Sequence, residues 1–114
     1  MKDSEIDYLI NYWTDELDTT ITFIKAVPDR SELFEYGFSK RMVIKDFIQN
    51  LKSIKNNNNR LEVIDRQIEF WNKIIRIRDE RFETVINRRE RDGHIRKTEM
   101  IHEFIKQLES LKNN

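Results

Sequence analysis

The sequence contains no cysteine, one proline and two glycines. Without cysteine the chain can form neither a disulfide nor a thiolate metal site, which excludes the small secreted scaffolds that depend on such crosslinks. Proline and glycine are the strongest interrupters of regular structure, so their scarcity leaves few positions for turns. The composition therefore favours a few long helices or strands in a cytoplasmic protein.

Long apolar runs are also absent. A membrane-spanning helix needs about 20 consecutive, mostly apolar residues, and no stretch of this sequence approaches that length. The charged start, Met1-Lys2-Asp3-Ser4-Glu5, is unlike a signal peptide. We therefore expect neither a membrane segment nor a membrane partner.

The chain is instead rich in charge and in large apolar side chains. Its 114 residues include 21 basic and 21 acidic side chains, and 38% of the residues are hydrophobic. This length suits one domain, and zero net charge combined with this hydrophobic content favours a packed core over disorder. We predict a single helical-bundle domain over residues 1–114.

Apolar residues recur every three or four positions along almost the whole chain, which is the spacing of a helix face. A first helix is expected to begin with a Ser4 cap and to end near Ala26, because Pro28 follows. A short helix over residues 32–36 should end at Gly37, before the second main helix. The pattern predicts an all-α fold, an antiparallel helical bundle of four main helices.

The third helix is the most distinctive element. Its seam residues alternate spacings of three and four over more than three heptads, as in coiled coils, and they are Leu61, Ile64, Ile68, Trp71, Ile75, Arg78, Phe82 and Val85. After the Asn56-Asn57-Asn58-Asn59 loop, this pattern predicts one long coiled-coil-like helix over about residues 60–92. Helix four is expected to follow Gly93, from about Thr98. An overhanging long helix would leave apolar surface bare, so we expect a homodimer joined along helices three and four.

The neutral total conceals an uneven charge distribution. Residues 1–35 carry three basic and nine acidic side chains, whereas residues 36–97 carry sixteen basic and nine acidic ones. This split favours ion pairing between the acidic first helix and the basic third helix, within one chain or between subunits. Two arginines, Arg78 and Arg89, share the apolar side of the third helix, and a buried guanidinium needs a carboxylate partner. Glu16 is one candidate; an acidic ligand is the alternative.

The densest basic segment surrounds the predicted end of the third helix. Clustered arginines and lysines neutralise phosphates, so this segment is a possible nucleic-acid-binding surface, formed by Arg81, Arg88, Arg89, Arg91, Arg96 and Lys97. Acidic residues interleave with it at helical spacing, among them Asp79, Glu80 and Asp92. That interleaving favours a solvated, salt-bridged helix face instead.

Three aromatic residues, Phe34, Tyr36 and Phe38, surround Gly37. Aromatic side chains dominate the energetics of protein interfaces, so this cluster is the predicted partner-binding surface. The alternative is that the three rings cover the end of the bundle core, because aromatic residues are equally common there.

The two histidines lie in the last quarter of the chain. Glu99 and His102 have the Glu-x-x-His spacing of bundle metal sites, but they lie away from the apolar side of the fourth helix, so we predict no metal and no cofactor. Arg96 and His102 have a spacing that resembles the signature of HEPN-type ribonucleases, and so do His94 and either Arg88 or Arg89. The resemblance implies a dimeric helical ribonuclease in which histidine acts as general acid and base and arginine holds the phosphate charge.

No phosphate-binding glycine loop, catalytic triad or nucleophile elbow occurs in the sequence. The leading interpretation is a small, non-enzymatic helical protein that binds another macromolecule, with a protein as the first choice of partner, as a regulator, inhibitor or adaptor. Nucleic-acid binding through the basic segment and a HEPN-like ribonuclease are the alternatives. Richness in isoleucine, lysine and asparagine with a single alanine is what an AT-rich genome encodes, and short, cysteine-free chains are common among accessory proteins of bacteria and their phages.

Overall fold

The computed structural model describes residues 1–83 and 88–113 of the chain. Those residues form four helices, α1 (Asp3–Ala26), α2 (Glu32–Lys55), α3 (Arg60–Phe82) and α4 (Arg88–Asn113), and contain no strand. α1 packs against α2, and α3 packs against α4. The predicted all-α class with four main helices is confirmed, and the helices pack in pairs.

The chain divides into two compact units, Met1–Asn58 and Asn59–Asn114. We call them the first hairpin, which contains α1 and α2, and the second hairpin, which contains α3 and α4. Each hairpin is described by itself below. The assignment of the whole chain to one domain stays a prediction.

The first hairpin has a core of large apolar side chains. Trp13, only 1% exposed, meets the fully buried ring of Phe47 edge-on at a centroid distance of 4.7 Å. The rest of this core consists of Ile6, Leu9, Ile44, Ile48, Leu51 and Ile54. Asp7 near the start of α1 accepts a 2.7 Å hydrogen bond from Lys55 at the end of α2, so the two helices are antiparallel.

The turn between α1 and α2 is set by local chemistry. α1 ends at Ala26, two residues before Pro28, as predicted. Arg30 adopts a left-handed conformation with φ of 61°, and Ser31 then caps α2 by accepting a 3.1 Å hydrogen bond from the backbone N–H of Phe34. The prediction of a Ser4 cap is wrong, because α1 already begins at Asp3, after Lys2.

Gly37 lies inside α2, so the prediction that a short helix ends there is wrong. The residue is buried where α2 crosses α1. A Cβ at residue 37 would lie 2.9 Å from Ile24 Cγ1 and 3.1 Å from Phe23 Cδ1, closer than ordinary van der Waals contact. Glycine is therefore present because the two helices approach closely, and its conformational freedom is not used.

The second hairpin begins where the sequence predicts, after the asparagine loop, but its helices are divided differently. α3 ends at Phe82, and Asp92, the predicted end of the long helix, belongs to α4. Residues 84–87 of that predicted helix lie outside the described residues. The predicted start of the fourth helix near Thr98 is wrong, because α4 begins at Arg88 and continues through Gly93. The core of the second hairpin consists of Ile64, Trp71, Ile75, Ile101, Phe104, Ile105, Leu108 and Leu111.

Candidate functional site

The predicted aromatic surface is only partly brought together by α2. Phe34 and Phe38 are four residues apart, and their rings stack at a centroid distance of 6.3 Å with planes 20° apart. Phe38 is 47% exposed, whereas Phe34 and Tyr36 are half-buried. Tyr36 lies two residues from each phenylalanine, which places it on a different side of the helix.

Met42 extends this surface by one further turn and was missed by the sequence reasoning. Its side chain is 57% exposed, and it follows Phe38 at the same four-residue spacing. The recurrence of apolar residues at 34, 38 and 42 is the signal that could have found it. We call Phe34, Phe38 and Met42 the α2 stripe; it lies on a side of α2 different from its buried residues, such as Ile44 and Leu51.

The basic segment is distributed over α3 and α4. Arg81, Arg88, Arg91 and Arg96 are exposed, Lys97 is half-buried, and the side chain of Arg89 lies outside the described residues. Arg81 also rests over the ring of Phe82, with Cζ 5.9 Å from the ring centroid, a cation–π arrangement. Asp79, Glu80 and Asp92 are exposed in the same region. The exposed part of this segment is thus of mixed charge.

Glu16, one candidate partner of Arg78, contacts a lysine of its own hairpin. Glu16 lies in the first hairpin with Oε2 3.9 Å from Lys40 Nζ, and Asp7 of the same helix contacts Lys55. At Asp7 and Glu16, α1 therefore pairs with α2, its partner in the hairpin. The expected pairing of the first helix with the third stays a prediction.

Three contacts fix the antiparallel register of the second hairpin. Lys112 donates a 2.7 Å hydrogen bond to Asp65, the rings of Trp71 and Phe104 meet edge-on at 6.1 Å, and His94 Nε2 lies 3.0 Å from Asp79 Oδ1. Residue numbers rise along α3 as they fall along α4. This register brings Arg78 opposite Lys97 and Thr98, between the contact at Asp79 and the apolar core.

Arg78 interrupts the apolar seam of α3 between Ile75 and Phe82. Its Nε and Nη2 atoms are buried, and among the described residues neither has a hydrogen-bond partner. The hydroxyl of Thr98 is also buried, and it has no hydrogen-bond partner among the described residues. We call Arg78, Lys97 and Thr98 the polar layer of the second hairpin.

The positive charges in the polar layer repel one another. Burial lowers the pKa of Arg78 from its usual value, the charge of Arg81 lowers it further, and Asp79 partly offsets both. Burial also lowers the pKa of Lys97, with the charges of Arg78 and Arg81 acting in the same direction. Apart from the charge of Asp79, these effects destabilise the protonated forms, so the cations are held close together at a cost in stability.

His94 adjoins the polar layer and is only 8% exposed. Because a carboxylate oxygen accepts, His94 Nε2 is the donor in its contact with Asp79. The imidazole also stacks on Phe82 at a centroid distance of 4.5 Å with planes 20° apart. These contacts fix the ring, and the hydrogen bond engages the carboxylate of Asp79.

The residues of the predicted ribonuclease signature do not converge within one chain. Arg96 and His102 are both exposed and six residues apart on α4, which places them on different sides of the helix. Arg88 has the same separation from His94, which is held by Asp79.

Glu99 and His102 are exposed on α4. Across residues 1–83 and 88–113, no group of three or more histidine, aspartate or glutamate side chains is placed to hold a metal ion. Within the same ranges, no helix combines the length and the apolar character that crossing a bilayer requires.

Comparison with known proteins gives no relative on which to model a function. No family model matches the chain, and neither the curated proteins nor the solved structures include a significant match.

Proposed function

We propose that the protein is a non-enzymatic helical binding protein whose partner is another protein. The observation that carries this proposal is the α2 stripe, in which Phe38 and Met42 are 47% and 57% exposed at successive turns of one helix. When a helix binds in the groove of another protein, apolar side chains at this spacing insert into the groove. A regulator, inhibitor or adaptor would use such a surface.

The energetics of burial support this proposal. Transferring a large apolar side chain from water into an interface contributes about 1.5–3 kcal/mol, and aromatic residues are over-represented among the positions that dominate binding. Stacking of Phe34 on Phe38 orders the rings before a partner arrives, which reduces the entropy lost on binding. The cysteine-free composition supports a cytoplasmic location, and the isoleucine, lysine and asparagine content supports a bacterial or phage accessory protein.

Replacing Phe38 and Met42 together by serine is expected to abolish partner capture. Affinity capture from a native host lysate with the wild-type chain should retain a protein that the double variant retains at least about tenfold less, since two interface side chains are lost. Quantitative mass spectrometry of the captured proteins measures the ratio, and circular dichroism checks that the variant stays helical.

The matched control is Leu33→Ser. Leu33 is 54% exposed near the start of the same helix but is outside the α2 stripe, so this variant should capture the partner as the wild type does. Equal capture by the wild type and the double variant would remove the stripe as the binding surface.

We also propose a homodimer formed through the second hairpin, with α3 and α4 as coiled-coil-like elements. Phe70 and Ile77, seven residues apart on α3, are 51% and 50% exposed, and Ile95 of α4 is 45% exposed. A heptad separation places Phe70 and Ile77 on one face of α3, which is the arrangement that a second helix can cover.

Light scattering tests the dimer. The wild-type chain should have a mass of about twice 14.0 kDa, and Ile77→Glu should return it to the monomer because a carboxylate would be buried without a partner. Leu61→Glu, at an equally exposed position on a different side of α3, should leave the mass unchanged. A wild-type mass near 14.0 kDa at every concentration would rule out the dimer.

A further inference from the structure

The polar layer of the second hairpin places cations where the sequence pattern requires apolar contacts. On α3, Arg78 stands between Ile75, which is 7% exposed, and Phe82. On α4, Lys97 and Thr98 stand between His94 and the fully buried Ile101. The antiparallel register sets these positions opposite each other, so two basic side chains meet at one level of the seam.

Three polar atoms of this layer are desolvated. Nε and Nη2 of Arg78 and the hydroxyl of Thr98 are buried with no hydrogen-bond partner among the described residues. A buried polar group without a partner is destabilising, and a buried guanidinium much more so. Buried donor atoms without a partner on two facing helices are what an anion site is expected to show before its ligand is bound.

The balance of charge indicates which anion fits. Arg78, Arg81 and Lys97 lie close enough to perturb one another electrostatically. Asp79, the carboxylate that acts on Arg78, is already bonded to His94. Three cations that disfavour one another's protonated forms at one level of the seam favour an anion of more than one charge over a single carboxylate.

We propose that the polar layer of the second hairpin, Arg78, Lys97 and Thr98 with Arg81 beside them, binds a phosphate dianion, either inorganic phosphate or the terminal phosphate of a monoester. A guanidinium presents several N–H donors in one plane and pairs with two phosphate oxygens at once. The lysine supplies a point charge, and the threonine hydroxyl donates to a third oxygen. This site goes beyond protein binding by the α2 stripe and is independent of it.

The proposal accounts for the lowered pKa values of Arg78 and Lys97 in physical terms. Without an anion, each cation is disfavoured by burial and by its neighbours. A bound dianion would reverse both effects, because an opposite charge within a few ångströms favours the protonated form.

Thermal unfolding of the full chain at pH 8, with inorganic phosphate as the probe, tests the site. Phosphate should raise the Tm of the wild type saturably, by roughly 10 °C at 100 times its Kd. Arg78→Met should have a higher Tm than the wild type without phosphate, because the desolvated charge is gone. Its phosphate affinity should be lower by about tenfold or more, the loss of a charge-assisted hydrogen bond.

Two controls separate specific binding from general effects. Arg76→Met removes the same charge from an exposed position of α3, so it should respond to phosphate as the wild type does. Potassium chloride at equal ionic strength accounts for screening. Lys97→Met provides a second variant in which the phosphate response should be lost. A response that is equal in the wild type, Arg78→Met and Lys97→Met, or a wild type with no response, overturns the proposal.

The same thermal unfolding measurement with two other ligands identifies the source of the phosphate. Adenosine monophosphate carries a terminal dianion and should raise the Tm if the site accepts monoesters, whereas a response to inorganic phosphate alone assigns the free ion. An RNA oligonucleotide without a terminal phosphate offers only monoanionic diesters. If that RNA alone raises the Tm, and Arg78→Met abolishes the effect, the dianion assignment is wrong and the site belongs to a nucleic-acid surface.

Discussion

Replacing Leu108 by alanine is expected to lower the free energy of unfolding of the second hairpin by about 2–5 kcal/mol, the usual cost of truncating a buried leucine. Leu108 is 0% exposed, so its removal leaves a cavity in a core with few layers. Domains of this size are stabilised by only about 5–15 kcal/mol in total. The variant should therefore lose a large part of its stability, and urea unfolding measures the loss.

The reporter and the control come from the chain itself. It contains two tryptophans, Trp13 in the first hairpin and Trp71 in the second, so in a Trp13→Phe background the fluorescence of Trp71 follows the second hairpin. Leu61→Ala, at a position 53% exposed on α3, should change the stability by less than about 0.5 kcal/mol. Similar losses for the two leucine variants would show that Leu108 is not a core residue.

Gly37→Val is expected to destabilise the first hairpin by about 2 kcal/mol, within the usual range for overpacking. A Cβ at this position already lies 2.9 Å from Ile24 and 3.1 Å from Phe23, and valine adds two methyl groups to it. The helices must then move apart, which also loosens their contacts around Trp13. Urea unfolding followed by Trp13 fluorescence in a Trp71→Phe background measures the effect.

Ser53→Val is the matched control for Gly37→Val. Ser53 is exposed on the same helix, so a β-branched side chain there changes only the helix propensity, by a few tenths of a kcal/mol. If the two valine variants unfold at the same urea concentration, the close approach of α1 and α2 at Gly37 is contradicted.

Much of the fold follows from local sequence signals. Pro28 and the Asn56 to Asn59 run predict the end of α1 and the loop before α3, because these residues oppose helix continuation wherever they occur. The prediction that a helix ends at Gly37 is wrong because sequence alone does not distinguish a glycine that ends a helix from one that allows a neighbouring helix to approach. The deciding contacts, Ile24 and Phe23, come from the preceding helix.

The candidate sites were likewise predictable only in part from the sequence. Periodicity alone places Phe34 and Phe38 on one helix face, and it also places Arg78 on the apolar side of α3. The partners of Arg78 depend on the register between α3 and α4, which the pattern of one helix does not contain. The position of Lys97 and Thr98 opposite Arg78 therefore required the structure.

Packing of each helix against its neighbour in the sequence has a consequence for how fast the protein forms. The connections are short, residues 27–31 in the first hairpin and the asparagine loop between the hairpins, and α1 packs against α2, the next helix along the chain. Helical proteins dominated by such local contacts fold in microseconds to milliseconds, whereas synthesis proceeds at about 5–20 residues per second. The first hairpin can therefore complete its core on the ribosome while the residues of α4 are still being added.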